Sequence, residues 1–163
     1  MKRLLLVYHS MTGGTRQMAQ ALQQGAMSDA EIEVRLLHAT QAHPEDVLAA
    51  DGYVFCTPEN LAAISGLLKD FFDRCYYPVL DSIQGRPYAI LVCAGSDGQN
   101  AVRQIERIAA GWRLRRVAEP LIVCTHAQTS AEILAQKIIP PQELRRCHEL
   151  GAALAGGLAL GVF

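Results

Sequence analysis

The chain has 163 residues, 50% of them hydrophobic and 19% charged, which excludes a disordered chain and suits one domain over residues 1–163 with a substantial core. A formal net charge of -1 and a pI of about 6.5 leave no electrostatic footprint for nucleic acid or an anionic membrane. The one basic cluster, Arg113, Arg115 and Arg116, reads as a solvated strand edge.

From the N-terminus, "MKRLLLVYHS" is too short in its apolar run for a signal peptide and has no small-residue cleavage site. Leu4–Tyr8 reads as a first strand, followed by a helix over Thr15–Met27 with Met18, Leu22 and Ala26 on one face. Glu31–Leu37 alternates as a weaker strand, nearer an edge. Pro44 opens a short helix, "PEDVLAA". "GYVFCT" (Gly52–Thr57) is a third strand. Ile64, Leu67, Leu68, Phe71, Phe72 and Cys75 then keep helical spacing. Pro87–Gly95 is a fourth strand, Asn100–Ala110 a helix, Pro120–Thr125 a fifth strand and Gln142–Leu158 a final helix. The apolar C-terminal stretch from Leu150 is too short to span a bilayer. Continuous apolar strands alternating with amphipathic helices imply a parallel sheet covered on both faces. The fold class is therefore α/β, a three-layer α/β/α sandwich with a five-stranded parallel sheet in the flavodoxin-like order 2-1-3-4-5.

Five cysteines, Cys56, Cys75, Cys93, Cys124 and Cys147, are widely spaced without a C-x-x-C pair. They read as buried thiols, not as metal ligands or disulfides, and point to the cytoplasm. No metal is expected.

Ligands of such sheets bind beyond the carboxyl ends of the strands, near the switch between strands 1 and 3. The loop after strand 1, "HSMTGGT", places Ser10, Met11, Thr12, Gly13, Gly14 and Thr15 at a helix N-terminus, where unpaired N–H groups and the helix dipole favour an anion. Its rival is a plain turn with Thr15 as the N-cap. A cap needs one such residue, so the run of hydroxyls and glycines favours a phosphate. The loop is neither a Walker A sequence nor G-x-G-x-x-G, which points to a terminal phosphate and away from a dinucleotide. After strand 3, Thr57, Pro58, Glu59 and Asn60 offer amide and backbone groups to a planar heterocycle, or form a simple helix approach. After strand 4, "CAGSDGQN" brings Ser96, Asp97 and Gly98, with Ser96 or Asp97 able to cap the next helix. Arg16 and His9 flank the first loop, each with a bland alternative as a solvent-facing or strand-end residue. The long connection "THAQTSAEILAQKIIPPQEL", begun by Thr125 and His126 and carrying Ile133, Leu134, Ile138 and Ile139, reads as a lid or a subunit contact.

"LVYHSMTGGTRQMA" followed by "CTPENLAAISGLLKDFFDR" resembles the flavodoxin superfamily, and within it the NAD(P)H-dependent FMN reductases and the flavodoxin-like NAD(P)H:quinone oxidoreductases. The resemblance implies non-covalent FMN. Ser10–Thr15 match the segment around the ribityl phosphate, Thr57–Asn60 the loop along the isoalloxazine, and Ser96–Gly98 the loop opposite. It also implies NADPH or NADH as electron donor, a small-molecule acceptor such as a quinone or another flavin, and a possible homodimer. No side chain is singled out as a catalytic acid or base. Glu59 stands either as a ring partner or as a helix-approach carboxylate. Leu61 and Ala62 depart from the aromatic and glycine that the reductases tend to carry, and the lone Trp112 lies away from the crevice.

Two alternatives stay open. One is a non-enzymatic electron carrier of the flavodoxin type, against which the near-neutral charge argues. The other is a flavin-free binding or regulatory module on the same fold. A receiver domain fails because strand 1 ends in Tyr8-His9-Ser10, not acidic ligands, and a low-molecular-weight phosphatase fails because its loop cysteine is missing.

Overall fold

The computed structural model describes every residue from Met1 to Phe163. Its strands are β1 (Lys2–Tyr8), β2 (Ile32–His38), β3 (Gly52–Asn60), β4 (Ala63–Ile64), β5 (Pro87–Ala94), β6 (Arg115–Arg116) and β7 (Leu121–Cys124). Its helices are α1 (Gly14–Ala26), α2 (Pro44–Ala49), α3 (Gly66–Val79), α4 (Gln99–Gly111), α5 (Ser130–Leu134) and α6 (Pro141–Leu160). The main sheet runs β2-β1-β3-β5, and its last column is shared by β6 and β7, both parallel to β5. The order 2-1-3-4-5 is thus the observed one in columns, with β2 at the edge. The strand count differs from five for two reasons. The fifth column is interrupted at Val117–Pro120, which holds a bend at Ala118 and a single proline, Pro120, and β4 forms an antiparallel hairpin with the end of β3.

The unbroken apolar runs follow from two-sided burial. Leu4 and Leu6 enter one core while Leu5 and Val7 enter the other. In β3, Val54 and Cys56 face one way and Tyr53 and Phe55 the other, as period-two alternation requires. The first core lies under α1 and α6, the second under α2, α3 and α4. Trp112 belongs to the second, edge-on to Phe55 at 6.3 Å and to Phe72 at 5.3 Å between ring centroids. Such pairings add to plain burial. All five cysteines are free, and four are buried. Burial pushes the thiols of Cys75 and Cys93 up to about 11, so they stay protonated and act as small apolar groups. No helix is long and apolar enough to cross a membrane.

Two local boundaries differ from those read off the periodicity. Ile64 lies in β4, not in the helix, because Ser65 caps α3 by accepting a hydrogen bond from the Leu68 N–H. Thr15 is not a cap. Gly13 takes that place with φ of 89°, in the left-handed region, and α1 starts at Gly14.

The pair α1 and α6 is closed by glycine. A β-carbon on Gly25 would fall onto the His148 carbonyl oxygen, and one on Gly151 onto the Leu22 carbonyl oxygen. Gly156 on the same helix meets nothing within 4 Å. Overpacking against backbone has no flexible side chain to yield. Gly25→Ala and Gly151→Ala are therefore expected to lower unfolding free energy by about 1–3 kcal/mol or more. Gly156→Ala is expected to raise it by about 0.5–1 kcal/mol through helix propensity. Urea denaturation of the three variants checks both signs.

Candidate functional site

The amide N–H of His9 donates to Cys56 O at 3.2 Å, tying the end of β1 to β3. The chain then leaves the sheet. Gly13 N–H donates to Ser10 Oγ at 3.1 Å, which curls the loop, and Gln17 N–H closes the first helical bond to Gly13 O. The N–H groups of Met11, Thr12, Gly14, Thr15 and Arg16 donate to no protein acceptor. Thr15 is 1% exposed, and its Oγ1 has no hydrogen-bond partner. A buried hydroxyl without a partner is costly, and such groups concentrate where a ligand completes them. Gly14 leaves no space for a side chain, since a β-carbon there would lie 2.6 Å from Cys93 Sγ.

The mouth of α4 is built in the same way and then closed. Gly98 is its cap with φ of 87°, and neither Ser96 nor Asp97 caps it. Glu59 does so from β3: its Oε1 accepts from Gly98 N–H at 2.9 Å and its Oε2 from Ala101 N–H at 3.4 Å. A carboxylate at that end also complements the helix dipole. Thr57, fully buried, donates to Pro58 O at 2.8 Å and accepts from Ser65 N–H at 3.1 Å, fixing the base of the hairpin. Ile64 N–H donates to Gln104 Oε1, and Asn100 Nδ2 to Ala62 O. Leu61 and Ala62 form the two-residue tip with φ of 50° and 60°. Positive φ at both central residues is the type I′ pattern, which favours Asn-Gly and costs a side-chain-bearing pair about 1–2 kcal/mol per residue. Leu61 is fully exposed there.

Between these parts lies a cavity of about 440 Å³, within the range for small-molecule sites. Ser10, Met11, Thr12, Gly14 and Thr15 line it from the first loop, and Pro58, Glu59, Asn60 and Leu61 from the hairpin. Cys93, Ala94 and Gly95 form the β5 wall; Thr125, Ala127, Ile133, Leu134 and Lys137 come from the connection between β7 and α6. Of the residues expected from sequence, Gly13, Thr57, Ser96, Asp97 and Gly98 do not line it. Gly13 and Thr57 shape its walls from behind, and Ser96 and Asp97 are exposed. His126 lies outside the lining between Thr125 and Ala127. The connection crosses the first loop as a strap. Lys137 N–H donates to Thr12 O at 2.8 Å, Gln17 Nε2 donates to Lys137 O at 2.6 Å, and Ile139 N–H donates to Gln17 Oε1 at 3.1 Å. Ile133 and Leu134 carried a sequence signal as an apolar pair in a long connection, and Ala94 and Gly95 as a strand end. A lone lysine at 137 carried none.

The donor set fits the phosphate of FMN: unpaired amides, a helix N-terminus and a buried hydroxyl belong to the first loop that lines the cavity. The hairpin and the end of β5 supply the rest of the wall, and no aromatic side chain lines the cavity. No group of three His, Cys, Asp or Glu side chains is placed to hold a metal ion.

Residues 28–129 match the model of a family described as NADPH-dependent FMN reductase. The chain belongs to this family. It is 38% identical over 96 residues to a flavodoxin of Aquifex aeolicus (strain VF5), covering 59% of this chain and 50% of the relative. It is 33% identical to an NAD(P)H dehydrogenase (quinone) of Acidithiobacillus ferrooxidans, covering 45% of this chain and 47% of the relative. The chain thus spans about half the length of these curated relatives. In fold it is similar to a flavodoxin from the domain Archaea, with a TM-score of 0.79 at 17% identity over 96% of this chain and 99% of the other.

Two expectations follow from this geometry. Replacing Leu61-Ala62 by Asn-Gly is expected to raise unfolding free energy by about 1–2 kcal/mol in chemical denaturation, because the tip strain is released. His9, 7% exposed and with its Nδ1 unpartnered, has a pKa lowered by burial and by the neighbouring His38 ring. The unfolded chain therefore takes up that proton first, so stability falls as pH drops below about 6.5 toward the lower folded value. Melting temperatures from pH 7.5 to 5 are expected to decline less steeply in His9→Gln than in the parent.

Proposed function

We infer that the chain binds FMN non-covalently and passes electrons from NADPH or NADH to a quinone, a flavin or a similar small acceptor. The observation that carries this is the set of five unpaired N–H groups around the buried, unpartnered Thr15 hydroxyl. Family membership and the names of the relatives support the redox class. When bound, FMN supplies the hydride and electron chemistry.

The chain's own contribution is binding, orientation and exclusion of water. Ser10 Oγ accepts from Gly13 N–H, which leaves its own O–H to donate into the cavity. Thr15 Oγ1 and the free amides add donors from the same loop. Pro58, Asn60 and Gly95 line the cavity from the hairpin and the end of β5. Met11, Leu61, Ile133 and Leu134 form an apolar rim that limits water. No lining side chain is placed as a proton donor or acceptor for chemistry. Glu59 is held by two amides of α4, and the Cys93 thiol stays protonated. Glu59 closes the α4 mouth while still lining the cavity.

A non-catalytic electron carrier is the second reading, supported by the 38% identity to a flavodoxin. FMN binding without NAD(P)H oxidation would select it. Titration with FMN, followed by quenching of flavin fluorescence, tests the common ground, and a protein that ignores FMN would overturn both readings. Thr15→Val separates binding from folding. It is expected to stabilise the flavin-free protein by about 1 kcal/mol, since it removes an unsatisfied buried hydroxyl, while weakening FMN about tenfold or more.

A further inference from the structure

Building on the FMN reading, we propose that Lys137, delivered by the strap between β7 and α6, is the counter-charge of the bound phosphate and makes the site selective for a phosphorylated ligand. Lys137 is the one cationic residue in the cavity lining, and the one carboxylate there, Glu59, is engaged by α4. A phosphate monoester brings about -1.5 to -2 charges at neutral pH. The α1 dipole offsets roughly half a unit, so about one positive charge is still wanted.

The placement of Lys137 is not incidental. Its own N–H and C=O are both pinned to the first loop and α1, through Thr12 O and Gln17 Nε2. This sets its Cβ within 3.5 Å of the point where a β-carbon on Gly14 would stand. Its ammonium donates to the carbonyls of Glu132, Ile133 and Ala135 at 2.7, 2.8 and 2.7 Å. Those are neutral dipoles, and the lysine makes no ion pair. Its three donors thus rest on the carbonyls at the end of α5, and its charge has no anionic partner in the protein, on a stem rooted beside the open amides. Arg16, the other cation near the loop, is exposed on α1 and absent from the lining.

The competing role is structural: the three carbonyls form the end of α5, and the lysine would then merely hold Ile133 and Leu134 over the cavity. FMN and riboflavin, which differ only by the phosphate, separate the two roles. Fluorescence titrations of both ligands against the parent, Lys137→Met and the control Arg107→Gln, an exposed cation on α4 outside the lining, are the test. Lys137→Met is expected to weaken FMN by about tenfold or more and riboflavin by less than about twofold, with Arg107→Gln like the parent. Equal weakening of both ligands, or unchanged FMN affinity, overturns the proposal and leaves the FMN reading intact. Failure of the parent to bind FMN overturns that reading itself. Should riboflavin bind too weakly to titrate, thermal melts with inorganic phosphate decide. The parent is expected to gain melting temperature and Lys137→Met to gain none, whereas an equal gain in both overturns the proposal.

Discussion

A helix that starts without a side-chain cap leaves its first N–H groups unpaired, and they must be met by something. The structure contains two such helix mouths side by side at the carboxyl edge of the sheet. Both α1 and α4 begin at a glycine in the left-handed region, with no side chain of their own in the capping position. At α4 the deficit is met from within, by the Glu59 carboxylate of the hairpin. At α1 it is not met, and a buried hydroxyl is left wanting beside it. That asymmetry leaves one helix mouth closed by the protein's own carboxylate and the other open. Glu59 keeps its negative charge, and its contacts with the Gly98 and Ala101 N–H groups hold that charge at the α4 mouth, where the helix dipole favours it.

The elements that wall the cavity come from distant parts of the chain. The strap reaches α1 across 120 positions of sequence, through Lys137 and Gln17. The hairpin reaches α4 through Glu59, Asn100 and Gln104. Neither would hold without the layers beneath, where the glycine contacts of α1 and α6 let two helix backbones approach closely. Of the five non-glycine residues with positive φ, Leu61 lines the cavity and Ala62 and His126 adjoin lining residues, while Asp81 and Arg113 lie elsewhere. Thr15, in the lining, is unsatisfied. Backbone strain and orphaned polar groups persist where the surroundings over-determine them, and they cluster at functional sites.

Much of the architecture was legible in the residues. Runs such as Leu4–Tyr8 and Pro87–Ala94 are apolar on both alternating faces, which only a covered parallel strand requires. The spacing of Leu68, Phe71, Phe72 and Cys75 left one helical stripe to bury. The first loop was legible for the same reason, because its composition exceeds what a cap needs. The hairpin was not. Leu61-Ala62 lacks Asn or Gly, so turn chemistry gave no warning, and the type I′ tip is imposed by the contacts of its flanks with α4. Ser96 and Asp97 do not cap α4, able caps though both are: Gly98 holds the cap position and Glu59 accepts from the amides there.

From its sequence alone this protein was determined to be a doubly wound α/β domain with a loop rich in glycine and hydroxyl side chains between its first strand and first helix. Periodicity and glycine placement are local properties that any fold must accommodate. Which helix mouth stays open, which carboxylate closes the other, and which lysine reaches the cavity lining were decided only in three dimensions. Those outcomes depend on distances between segments far apart in the chain, and hydrogen-bond competition over such distances leaves no periodic trace in the residues themselves.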